Sequence, residues 1–323
     1  MVNIKEVAER AQVSPATISR YINNSGYVSE KTSKKVEKAI QELNYVPNEV
    51  ARSLFQKKSK LIGFLLPDMG NPFFPLMAQG IEDYFYPHGY HVITGNIHED
   101  QTKVASYLQT FQQNFVAGII SAVHLPKIAE NTPVVVINRS DEDSLYQVKA
   151  DYKQAAKLMI DELKQTSFED VVVISDPKSL EVANIRSSYI HDALDKEGIS
   201  YHTMASQSFL LKDVMHSAGR LFELYPHVDT IFAANDLQAM VLIQKAQYLG
   251  YRVPKDIQII GFDDIPFSEL TVPKLTTIKQ PAYEMGQTAA KMLHQLITDE
   301  IITENVVTLP VELMSRDTLR KKG

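Results

Sequence analysis

Apolar residues follow two different rhythms along this chain, and the rhythm changes near residue 60. In "IKEVAERA", Ile4, Val7, Ala8 and Ala11 have the spacing of one helix face. "VSPATISRYIN" predicts a second helix, capped by Ser14 and opened by Pro15, whose missing N–H costs nothing at a first helical position. Val13 and Ile18 fit the two places of a hydrophobic staple, and Ile18 and Ile22 face inward. A third helix, about Glu30 to Leu43, follows Ser29 as its cap and carries Val36, Ile40 and Leu43 on one stripe. Pro47 ends it. Asn48 can then cap a short helix with Val50, Ala51, Leu54 and Phe55 on one face, before Lys57, Lys58 and Lys60. So short a helix is marginal alone. It is read either as a segment that folds on contact, its leucine a wedge for a minor groove, or as an ordinary linker.

From Leu61 the pattern becomes continuous apolar runs separated by helical stretches. "LIGFLLP", "VITGN", "GIISAV" and "VVVIN" form one set of strands, and "DVVVIS", "TIFAAN" and "IQIIGFD" a second. "QAAKLMIDELK" and "LQAMVLIQKAQYLG" read as helices between them. Fully apolar strands alternating with helices indicate parallel sheets covered on both faces. Two such sets predict two doubly wound halves with a crevice at the carboxyl ends of their strands.

Polar residues stand where that crevice needs them. "DMGNPFF", "INRS", "AANDLQ" and "GFDD" each follow a strand, and they bring Asn71, Asn138, Arg139, Asn235, Asp236, Asp263 and Asp264 toward one rim. Each alone reads as a cap or turn residue; several together read as a ligand site. Phe73 and Phe74 offer aromatic faces beside amides, an arginine and carboxylates. A sugar presents an apolar C–H face and a ring of hydroxyls that need acceptors and donors in fixed directions.

Composition narrows the classes. The chain has 323 residues, 44 % of them hydrophobic, and no cysteine, which removes disulfides, thiolate catalysis and zinc–cysteine sites. Nothing resembles a secretory leader or an 18-residue apolar span, so a cytoplasmic protein with no membrane partner is expected. Residues 1–60 carry eleven Lys+Arg against six Asp+Glu, a net of +5, whereas the remainder holds 22 against 33, a net of −11. A basic head on an acidic body suggests a polyanion partner for the head alone. No serine-hydrolase signature, phosphate loop or H-E-x-x-H occurs, and the nine histidines are scattered. No catalytic residue, metal or cofactor is therefore expected.

Taken together, "IKEVAERAQVSPATISRYIN", "VSEKTSKKVEKAIQELNYVPNEVARSL" and the two-half body resemble the lactose/galactose repressor family of bacterial transcription regulators. The resemblance implies an all-α helix-turn-helix domain (1–46), a hinge helix and linker (47–60), and a periplasmic-binding-protein-like α/β body (61–323) of two doubly wound parallel-sheet subdomains. One would hold about 61–150 plus 281–309, the other about 151–280 plus 310–323. It implies base reading by Pro15, Ala16 and Arg20, and phosphate contacts from Ser14, Thr17, Ser19, Asn23 and Ser29. Leu54 would intercalate beside Ala51. The crevice motifs also resemble bacterial ribose-binding proteins. That likeness implies effector contacts from Asn71, Phe73, Phe74, Asn138 and Arg139 of the first half, with Arg186, Phe209, Asn235, Asp263 and Gln280 from the second and its crossover. Asn138 stands where sugar-binding relatives often carry aspartate, and ribose is preferred over a sucrose or fructose type of effector. The expected protein is a homodimeric repressor of a sugar operon, bound to a pseudo-palindromic double-stranded DNA operator at the nucleoid and released by the sugar. The alternative is control by a corepressor or a partner protein. A bare sugar-transport protein would have lacked the basic head.

Overall fold

The computed structural model describes residues 2–23, 25–46, 53, 58–98, 100–126, 132–138, 145–175, 185–206 and 208–321. Most of the expected hinge segment, including Ala51 and Leu54, lies outside them, as does Arg139. Two compact units divide at Ser59 and Lys60.

Among the described residues the first unit holds the helices α1 (Ile4–Ala11), α2 (Pro15–Asn23) and α3 (Glu30–Glu42). Asn3 caps α1 by accepting the N–H groups of Lys5 and Glu6, and the Glu6 side chain reaches back to complete a capping box. Gln12 adopts a left-handed conformation (φ 56°) that ends α1 and turns the chain into α2. Ser14 Oγ accepts the Thr17 N–H at 3.1 Å, and Ser29 Oγ accepts that of Thr32 at 3.3 Å. Val7, Ala8, Ala11, Ile18, Val36 and Ala39 form the core, with Val13 and Ile22 packed against it.

The second unit is built on two six-stranded sheets. The first holds β1 (Leu61–Leu66), β2 (His91–Asn96), β3 (Gly118–Ser121), β4 (Val134–Ile137), β5 (Gln147–Ala150) and β11 (Val306–Leu309), in the order β11-β5-β4-β3-β1-β2. The second holds β6 (Val171–Ser175), β7 (Tyr201–Ala205), β8 (Thr230–Phe232), β9 (Gln258–Asp263), β10 (Thr276–Lys279) and β12 (Glu312–Met314), in the order β12-β10-β9-β8-β6-β7. Pairing is parallel throughout, except that β12 runs antiparallel to β10, a departure from the purely parallel sheet expected. The chain crosses between sheets three times, after β5, after β10 and after β11.

Helices fill the crossovers: α4 (Phe73–Phe85), α5 (Gln101–Gln113), α6 (Tyr152–Leu163), α7 (Ile185–Lys196), α8 (Leu211–Leu224), α9 (Asp236–Tyr248) and α10 (Ala282–Ile297). On the first sheet α4 and α10 cross so closely that a Cβ on Gly80 would lie 2.1 Å from the Tyr283 carbonyl oxygen. One on Gly286 would lie 2.2 Å from that of Met77. The apolar runs that read as strands are buried almost without break, including Val171–Ser175 and Gln258–Asp263. The largest core cluster extends over both sheets, from Ile62 and Phe64 to Phe232 and Phe262.

Candidate effector cavity and recognition face

Parallel strands release their chains at one end, and here the strand ends of both sheets surround one cavity. Measured as room for the centres of water-sized spheres its volume is about 100 Å³, and its mouth opens to solvent. Its lining includes Asn71, Phe73, Phe74, Asn138, Arg186, Phe209, Asn235, Asp263 and Gln280. The structure thus brings together these nine of the residues expected at the effector site, but not Asp236 and Asp264, which were expected on the same rim.

Each polar side chain is held by its element. Asn71 Oδ1 accepts the Phe73 N–H at 3.1 Å, starting α4, while its Nδ2 faces Asp263 Oδ2 at 3.4 Å. Asn235 caps α9 by accepting the Gln238 N–H at 2.9 Å. Asn138 sits just past β4 with φ 53°, a left-handed conformation that asparagine tolerates, and its Oδ1 accepts the Ala150 N–H at 2.9 Å. Gln280 Nε2 donates to Asp263 Oδ1 at 2.7 Å. Phe73 and Phe74 meet edge to face with centroids 5.2 Å apart. The Arg186 guanidinium lies 4.7 Å over the Phe262 ring, a cation–π contact that directs a positive donor along the wall.

The two acidic neighbours, Asp236 and Asp264, do not line the cavity. Asp236 is fully buried at the start of α9, where it accepts the Thr277 hydroxyl at 2.5 Å and the Ile265 N–H at 2.8 Å. Burial, with the nearby charge of Asp263, pushes its carboxyl well above the usual carboxylate range, while the hydrogen bonds from Thr277 and Ile265 pull the other way. Gly261 makes room for it, since a Cβ there would lie 2.3 Å from Asp236 Oδ1. Asp263 and Asp264 both have positive φ (116° and 54°), and only Asp263 lines the cavity. Asp264 pairs with Arg316 instead. These two carboxylates hold the turn that presents Asp263, and their expected place on the rim is corrected accordingly.

The cavity also takes Pro67, Asp68, Met77, Ala122, Ile137, Tyr152, Ile185 and Leu210, which the sequence reading did not select. Tyr152 was within reach of the strand-end argument. It follows β5, whose short "QVKA" gave too little apolar signal to be read as a strand.

On the head, Ser14, Pro15, Ala16 and Arg20 are exposed at one side of α2, and Thr17 and Ser19 are partly covered. Ser14 and Ser29 are both engaged as caps, so a phosphate contact from either would share an occupied hydroxyl. Asn23 Nδ2 donates to Ser19 Oγ at 3.2 Å. Among the described residues no cluster of three or more His, Asp or Glu could hold a metal, and no helix is long and apolar enough to cross a membrane.

Comparison with known proteins agrees with both units. Residues 3–48 match the model of bacterial regulatory proteins of the lacI family, and residues 160–319 that of the periplasmic binding protein-like domain. A ribose operon repressor of Bacillus subtilis is 43 % identical over the full length of both chains. One from Lactococcus lactis is 36 % identical over 100 % of this chain and 99 % of its own. The crystal structure of the lac repressor dimer bound to operator and the anti-inducer ONPF superposes with a TM-score of 0.85 at 26 % identity, over 98 % of each chain. A helix-turn-helix head joined to a two-sheet, cavity-bearing body, in a chain 43 % identical to a repressor along its whole length, defines a DNA-binding transcription regulator. The chain belongs to the lacI family of bacterial regulatory proteins.

Proposed function

We propose that this regulator is a homodimeric repressor of a sugar operon, released from its operator when D-ribose binds the cavity. The observation that carries the reading is the convergence of Asp263, Gln280, Asn71, Asn235 and Arg186 with Phe73 and Phe74 on one cavity drawn from both sheets. A carboxylate accepts from hydroxyls, a guanidinium and amides donate to them, and aromatic rings cover a C–H face. The 43 % identity to a ribose operon repressor supports ribose over other sugars.

In this reading Pro15, Ala16 and Arg20 meet base edges in the major groove, and Ser14, Thr17, Ser19, Asn23 and Ser29 lie along phosphates. Ala51 and Leu54, outside the described residues, are assigned minor-groove contacts by the family resemblance alone. Arg139, also outside them, is assigned to the effector by the same resemblance. The body works as two subdomains, 61–150 plus 281–309 and 151–280 plus 310–323. Sugar changes the angle between them and so the spacing of the two hinge segments in the dimer. Release requires that ribose bind the operator-free geometry more tightly than the operator-bound one. A regulator of this kind works in the cytoplasm, at the nucleoid.

The test is fluorescence anisotropy of a labelled palindromic operator titrated with ribose, fructose, sucrose and their phosphates. Release by ribose alone supports the reading. Tighter binding with any of them makes that compound a corepressor, and no response to any points to a partner protein.

A further inference from the structure

The described residues contain one string of side-chain hydrogen bonds that passes from sheet to sheet through the cavity floor. Ala150 N–H donates to Asn138 Oδ1 (2.9 Å), Asn138 Nδ2 donates to Gln280 Oε1 (3.0 Å), and Gln280 Nε2 donates to Asp263 Oδ1 (2.7 Å). Asn71 Nδ2 closes the string on Asp263 Oδ2 (3.4 Å). Asn71 and Asn138 follow strands of the first sheet, Asp263 ends a strand of the second, and Gln280 lies on the crossover between them.

The direction of every bond is forced from both ends. A carboxylate only accepts, so Gln280 must turn its NH2 to Asp263. A backbone N–H only donates, so Asn138 must turn its oxygen to Ala150 and its NH2 to Gln280. The backbone of Gln280 is fixed as well, by its N–H on the Asp263 carbonyl at 3.3 Å and by the Ala282 N–H on its own carbonyl at 2.8 Å. An aspartate at 138 would supply an acceptor where the string needs a donor. The Gln280 amide could then satisfy one carboxylate only by turning its oxygen toward the other.

We propose that Asn138 is a positioning residue. Its amide fixes the orientation of Gln280 and, through Gln280, the acceptor face that Asp263 turns to a sugar, while the same string clips the two sheets together. This deepens the sugar-binding reading and rests on it for the role of Asp263. It also gives a physical meaning to asparagine at this position: the residue serves Gln280 and Ala150 before it serves a ligand.

The string can be reversed without losing a bond, and that is the test. With Asn138→Asp and Asp263→Asn combined, Ala150 N–H still meets an oxygen at 138. The glutamine amide turns over, its NH2 donates to residue 138, and its oxygen accepts from the new amide at 263. The oxygen of that amide still accepts from Asn71. Melting temperatures of the full-length protein, measured without sugar, give a double-mutant cycle. Each single variant is expected to lower Tm by about 3 °C or more, the scale of one lost hydrogen bond in a chain of this size. The double variant is expected to regain at least half of the summed loss. A single variant that fails to fold beside a double variant that folds is the same rescue. Repeating the cycle in a Gln280→Met background is expected to abolish the coupling, because Gln280 transmits it. Additive losses in the double variant, or coupling that survives without Gln280, would overturn the proposal. D-Ribose affinity is expected to fall at least tenfold in Asn138→Asp. If ribose does not bind the unaltered protein, the sugar reading fails, while the sugar-free cycle still decides the string.

Discussion

Arg316 Nη2 lies 2.7 Å from Asp264 Oδ1, in a pair whose side chains are only 10 % and 13 % exposed. The same guanidinium donates to Ser268 Oγ at 3.1 Å and to the Leu275 carbonyl at 2.9 Å. A residue near the C-terminus therefore fixes the turn in which Asp263 and Asp264 adopt positive φ. Strain of this kind persists only where the surroundings over-determine it. Arg316→Met is expected to lose about 1–3 kcal/mol of stability, the scale of the charged hydrogen bonds it removes in this part-buried turn. It is also expected to weaken effector binding, because Asp263 loses its fixed direction. Urea unfolding and calorimetric titration with ribose measure the two effects. Unchanged binding in a destabilised variant would show that Asp236 holds the turn alone.

Asp236 makes a prediction in pH. Its carboxyl is raised in the folded protein, so the folded state holds the proton more tightly than the unfolded chain does. Its contribution to stability is full below the unfolded carboxylate value of about 4 and is lost as pH rises through the folded value. Asp236→Asn should flatten that part of the stability curve from about pH 4 upward, read as urea midpoints across a pH series. An unchanged slope would mean that the two hydrogen bonds from Thr277 and Ile265 outweigh burial.

His294 gives the opposite sign. Burial lowers its proton affinity, aided by the charges of His88 and Lys60 and opposed by Glu300. Its ring lies 4.6 Å from that of His88, and its Nδ1 is 3.3 Å from the Tyr84 hydroxyl. The unfolded chain takes up this proton first, so stability is present above about pH 6.5 and lost as pH falls through the depressed folded value. His294→Gln is expected to reduce the loss of Tm between pH 7 and pH 5. An equal loss in both proteins would assign the acid sensitivity to other groups.

On the head, two substitutions should separate reading from folding. Arg20 is exposed on α2, so Arg20→Ala should weaken operator binding by about 1–3 kcal/mol with the head's melting unchanged. Ser29 caps α3, so Ser29→Ala should lower the head's stability by about 1 kcal/mol. Anisotropy on operator DNA and thermal melts distinguish the two. A Ser29→Ala variant that melts normally yet binds weakly would make Ser29 a phosphate contact first and a cap second.

Legibility followed the strength of the local signal. The helices of the head were readable because caps and apolar spacing agree, as at Ser14 with Ile18 and at Ser29 with Val36. The central strands were readable because burial on both faces leaves unbroken apolar runs, as in Val171–Ser175. The strands β5, β7, β10, β11 and β12 were not, because they are short or half-exposed and mix in polar residues, as "YHTMA" does. The cavity was legible wherever a strand end carries an unusual polar residue. It was not legible at Tyr152, behind an unread strand, nor at Asp236 and Asp264. Their part depends on Thr277, Ile265 and Arg316, residues 29 to 52 positions away. Sequence spacing carries no information about such partners.

The threefold crossing of the chain also bears on how this protein is made. The first sheet lacks its edge strand β11 until Val306–Leu309 emerges, and the second lacks β12 until Glu312–Met314 does. Neither half is whole while the greater part of the chain is being synthesised, and both are closed within a few residues of one another. A chain ending before Val306 would lack the last strand of both sheets; it would not hold one finished half and lack the other. Without those last strands the free edges pass inward to β5 in the first sheet and β10 in the second, so both halves depend on the same short stretch for their final edge strands.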